Sequence, residues 1–79
     1  MSRREKIEAM LRDEPHDTFL RYSLAMELRS AGEHDESLVK LNELTRDATP
    51  YVPAFFMAAQ QLVDLDRIDE ARSYLRDGI

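Results

Sequence analysis

Two histidines, His16 and His34, and 16 carboxylates are the side chains of this 79-residue chain best able to do chemistry. There is no cysteine, which excludes disulfides, thiolate nucleophiles and thiolate metal sites. His16 falls between two helical segments beside Asp17, and His34 opens a further one. A metal site would need more ligands at fixed geometry, so both read as solvated turn residues. Asp64-Leu65-Asp66 has the opening ligands of a calcium loop. However, Asp69 stands where such a loop turns on glycine, and no closing glutamate follows. Asp13-Glu14, Glu33, Asp35-Glu36 and Asp69-Glu70 cluster at helix starts and turns. Helix-dipole complementarity and solvation explain them more simply than general acid–base catalysis. No glycine-rich phosphate loop or nucleophile elbow is present. The expectation is a protein without catalysis, cofactor or metal, because no constellation of groups makes a site.

Composition narrows the partners. The chain carries 11 basic against 16 acidic residues, a formal net charge of -5, and lacks the clustered Lys/Arg that neutralises phosphates. No apolar run approaches the roughly 20 residues that cross a bilayer. The opening Met1-Ser2-Arg3-Arg4-Glu5-Lys6 has no apolar leader segment. These features favour a small acidic, cytoplasmic protein that meets other proteins or peptides, with neither nucleic acid nor membrane as partner. At this length a single domain is expected, near the lower size limit for a useful core.

Five helices account for the pattern. Ser2-Arg3-Arg4-Glu5 fits a capping box ahead of Ile7, Met10 and Leu11, and Asp13-Glu14-Pro15 stops that helix. A second is predicted from Asp17 or Thr18 to Ser30, ended by Ala31-Gly32 with Gly32 in the left-handed conformation. A third runs from near Asp35 to about Arg46 through Leu38, Leu41 and Leu44. The fourth opens around Val52, with Pro53 in its first turn, and carries Phe55, Phe56, Ala58, Ala59, Leu62, Val63 and Leu65. Asp66 is expected to cap a fifth bearing Ile68, Ala71 and Leu75. The connections are short, so consecutive helices are expected to be antiparallel neighbours.

An internal period of 34 residues organises these helices. Laying Phe19–Gly32 over Pro53–Asp66 puts Tyr22 on Phe56, Leu24 on Ala58, Ala25 on Ala59 and Leu28 on Leu62. Further on, Ser37 falls on Ala71, and Ile7, Leu41 and Leu75 share one register. The pattern resembles the tetratricopeptide repeat, a helix A, turn, helix B unit. Phe55, Ala58-Ala59, Leu62, Ala71 and Leu75 fill its positions in one copy. Leu24-Ala25, Leu28, Gly32, Ser37, Leu41 and Leu44 fill them in the other. Residues 18–79 carry the likeness well and residues 3–15 loosely. Arg21 departs from the expected aromatic, Asp66 from the turn glycine and Gly78 from an alanine, and Thr49-Pro50 shifts the closing proline. The resemblance implies an all-α, right-handed solenoid of antiparallel hairpins in one domain, 1–79. Its parts are a half repeat (1–15), repeat 1 (16–49) and repeat 2 (50–79).

Tetratricopeptide proteins hold ligands in a concave groove lined by helix A, and the resemblance places specific residues there. In the first repeat these are Phe19, Tyr22, Ser23, Met26 and Arg29. In the second they are Pro53, Phe56, Met57, Gln60 and Asp64. The basic clamp that grips a terminal carboxylate is not supplied, and thioethers beside aromatic rings suit an apolar helix or extended peptide. Phe55, Leu24, Leu28, Leu41, Leu62 and Leu75 read as core. The expected function is a protein-interaction scaffold. The alternatives are a homo-oligomer formed through Tyr74, Leu75 and Ile79 on an uncapped last helix, or a scaffold piece of a larger protein.

Overall fold

The computed structural model describes residues 2–77, and among them every regular element is an α-helix. They are α1 (Arg3–Asp13), α2 (Thr18–Ser30), α3 (His34–Thr45), α4 (Val52–Asp64) and α5 (Ile68–Asp77). The chain divides into two compact units, Met1–Lys40 and Leu41–Ile79, with the division inside α3.

Local chemistry sets the helix starts. Ser2 and Glu5 form the anticipated capping box, the Ser2 hydroxyl accepting from the Glu5 N–H at 3.1 Å. Asp17 caps α2, accepting from the Leu20 N–H at 2.8 Å. Pro53 lies in the first turn of α4, where a missing N–H costs no helical hydrogen bond. Tyr51, in the cap position of that helix, makes no side-chain cap bond.

The helix ends repeat at the period of the sequence. Gly32 has φ of 80° and Asp66, its counterpart, has φ of 60°. The Glu33 N–H donates to the Leu28 carbonyl at 2.9 Å, and the Arg67 N–H donates to that of Leu62 at 2.7 Å. Asp66 is therefore the left-handed turn residue that closes α4, not the cap of α5. A carboxylate side chain tolerates that conformation better than most, which is why the glycine position accepts it.

In the first unit, α1 packs on α2, with Ile7, Leu24 and Leu28 forming a buried cluster that Leu11 borders. Arg3 pairs with Glu27 at 2.9 Å and Arg4 with Glu33 along the edge of this contact. The Ser37 hydroxyl on α3 donates to the Ala25 carbonyl on α2 at 2.7 Å, and both residues are fully buried. Small side chains here let the two helices approach closely.

In the second unit α4 packs on α5. Ala58, Ala59, Leu62 and Ala71 are buried at the positions that Leu24, Ala25, Leu28 and Ser37 hold one repeat earlier. Leu41 and Leu44 are fully buried, as is Gln61, which periodicity alone does not pick out. Two expected core residues are not buried. Phe55 is partly exposed, and Leu75 is 39% exposed where Leu41, one repeat before it, is covered.

Candidate functional site

Helix periodicity places Phe19, Tyr22, Ser23, Met26 and Arg29 on one side of α2, within about 120° of arc. Leu24, Ala25 and Leu28 are the buried positions of that helix. Phe19 is 69% exposed, and Tyr22, Ser23, Met26 and Arg29 are half-buried. The Phe19 ring is thus exposed apolar surface in the first turn of α2.

The same construction recurs on α4. Pro53, Phe56, Met57, Gln60 and Asp64 share one face, while Ala54, Ala58, Ala59, Gln61 and Leu62 are buried. Phe56 is 49% exposed, Pro53, Gln60 and Asp64 are exposed, and Met57 is half-buried. Helices α2 and α4 thus each bury small and aliphatic residues, with Gln61 also buried on α4, and each leaves a phenylalanine exposed on the other side.

A concave feature lies wholly within the second unit and is not legible from periodicity. It is a cleft of about 440 Å³ whose walls come from the end of α3, from Phe55 on α4 and from α5. The Tyr74 hydroxyl donates to Asn42 Oδ1 at 2.8 Å across it, and the Thr45 hydroxyl donates to the Asn42 carbonyl at 2.7 Å. Desolvation pushes the Tyr74 phenol above its ordinary value, against a smaller opposing pull from the Arg46 guanidinium. Glu70 on the same wall lies below the usual carboxylate range, chiefly through its hydrogen bonds from Arg67, one of them 2.8 Å long. Asn42 and Tyr74 are 32 residues apart, so no local spacing signals their pairing.

Of the residues proposed for self-association, Tyr74 turns into this cleft and Leu75 is open to solvent; Ile79 lies outside the described residues. His16 is exposed and His34 half-buried at their turns. No cluster of three or more His, Asp or Glu among the described residues is arranged to hold a metal ion. No helix among them is long and apolar enough to cross a membrane. No family model, curated protein or solved structure matches this chain.

Proposed function

We propose that this chain is a protein-interaction module of the tetratricopeptide type, a right-handed solenoid of helical hairpins that takes a peptide or helix against its helix A faces. The observation that carries this reading is the exposure of Phe19 and Phe56 on helices whose other sides are packed with Leu and Ala. Two supports stand beside it. The helix-ending hydrogen bonds recur at the 34-residue period, in both copies with a left-handed residue before the next helix. The displayed groups, Tyr22 and Met26 on α2 and Phe56 and Met57 on α4, are deformable apolar side chains suited to a partner's aliphatic groups. Binding without catalysis, in the cytoplasm, completes the proposal.

The test is binding to a library of amphipathic helical and extended peptides, compared between wild type and a Tyr22→Ala/Phe56→Ala double variant. Loss of binding in the variant at unchanged helicity is the expected result. Peptides bound equally by both proteins would remove the helix A faces from consideration.

A further inference from the structure

We propose that the cleft of the second unit binds a guanidinium group, such as an arginine side chain carries, against the Phe55 and Tyr74 rings and the acceptor oxygens of α5. This site is separate from the helix A faces and rests on no part of the reading given for them.

The cleft has the size of a small-molecule site, about 440 Å³ where roughly 300–1,000 Å³ is common. All of its walls belong to one compact unit, Leu41–Ile79. Glu70, Ser73, Tyr74 and Asp77 follow one another at i, i+3, i+4 and i+7, so α5 presents them as a single stripe.

The ligand chemistry follows from where the hydroxyl protons go. Tyr74 donates its proton to Asn42 Oδ1 at 2.8 Å, and Thr45 donates its own to the Asn42 carbonyl at 2.7 Å. A hydroxyl has one hydrogen, so both oxygens keep acceptor capacity only. Desolvation raises the Tyr74 phenol, which holds that proton in place at neutral pH. The Asp77 side chain is 65% exposed, and Arg76 Nε, at 3.8 Å, is too distant to hydrogen-bond to it. Glu70 accepts from Arg67 on both oxygens, yet a carboxylate has about four acceptor positions. The donors on the walls are Asn42 Nδ2, the Ser73 hydroxyl and the exposed Arg46 guanidinium.

A wall richer in acceptors than in donors is matched by a ligand made of donors. A guanidinium carries five N–H groups and no acceptor. Its flat face also stacks on aromatic rings, supplied here by Phe55 from α4 and Tyr74 from α5. Net charge does not select it, because Arg46, Arg67 and Arg76 offset Glu70 and Asp77. The preference comes from donor–acceptor matching and stacking at short range. Arg46 is the opposing cation on the wall itself, so its removal favours the ligand.

The probe is N-acetyl-arginine amide, titrated into the isotope-labelled full chain and followed by NMR. Saturable shifts are expected at the backbone amides of Ser73 and Tyr74 and at the Asn42 side-chain amide. N-acetyl-citrulline amide has the same shape but is uncharged and carries an acceptor oxygen, and is expected to bind about tenfold more weakly. Asp77→Asn and Phe55→Leu are each expected to weaken the arginine probe by about fivefold. Arg46→Gln is expected to tighten it by about twofold. Asp77 and Arg46 are exposed, so their variants keep the native circular dichroism. The Tyr22→Ala/Phe56→Ala protein is expected to bind the probe as wild type does, which keeps this test apart from that of the helix A faces. Comparison with free arginine identifies the source: a polypeptide side chain where the capped form binds more tightly, a free small molecule where it does not. Absent shifts at these positions, citrulline binding as tight as arginine, or binding weakened by Arg46→Gln each overturn the proposal. Saturable binding of inorganic phosphate that Arg46→Gln removes would make the cleft an anion site and overturn it as well.

Discussion

Gly32 and Asp66 hold the same left-handed backbone 34 residues apart, φ 80° and 60°, just beyond α2 and α4. In both places the next N–H returns to the carbonyl of the helix's last buried leucine, Leu28 or Leu62. The repeat is therefore written in backbone geometry as well as in side chains. Only one of the two positions has the residue that meets this conformation without steric penalty.

That asymmetry predicts opposite outcomes. Asp66→Gly is expected to stabilise the protein by about 0.5–1 kcal/mol, by removing left-handed strain from an L-residue. Gly32→Ala is expected to destabilise by about 1 kcal/mol through the same strain, although an added Cβ would meet no atom within 4 Å. Urea unfolding midpoints of the two variants decide it, and shifts in the same direction would contradict the strain argument.

Ile7 anchors α1. Replacing it with alanine removes a side chain packed on Leu24 and Leu28, and is expected to cost about 2–4 kcal/mol. Loss of the Ser2 cap, by contrast, is expected to cost about 1 kcal/mol and to fray only the first turn of α1. Hydrogen exchange along α1 separates the two: Ile7→Ala deprotects the whole helix and Ser2→Ala its beginning.

The buried Ser37 hydroxyl ties α3 to the Ala25 carbonyl, while Ala71 does without any such bond one repeat later. Ser37→Ala is expected to lower stability by about 0.5–1.5 kcal/mol, the net worth of one hydrogen bond. Because the second repeat tolerates alanine here, the variant is expected to fold with native circular dichroism and a reduced thermal midpoint.

Tyr74 supplies a pH dependence. Its phenol is raised by desolvation, so the folded state favours the protonated form more than the unfolded state does. The resulting stabilisation is complete below the usual phenol value of about 10 and fades as pH rises through the raised folded value. Absorbance titration of the three tyrosines is expected to contain a late component that Tyr74→Phe removes. A titration unchanged by that substitution would contradict the assignment.

Much of this architecture was legible in the residues themselves, for reasons that are local. Ser2 with Glu5, Pro15, Gly32 and Pro53 act on backbone groups a few positions away, so helix limits follow from chain chemistry alone. The period that aligns Leu28 with Leu62 and Ser37 with Ala71 likewise identified buried positions before any packing was known. What tertiary structure decided was whether each apolar residue has something to pack against. Leu41 and Leu75 are identical side chains at equivalent positions, yet one is fully buried and the other open. Phe55 fits the repeat as a core aromatic and instead lines a cleft with Asn42 and Tyr74. Periodicity reports which side of a helix is apolar, but burial depends on the neighbour that side meets, and that neighbour is set by the fold in three dimensions.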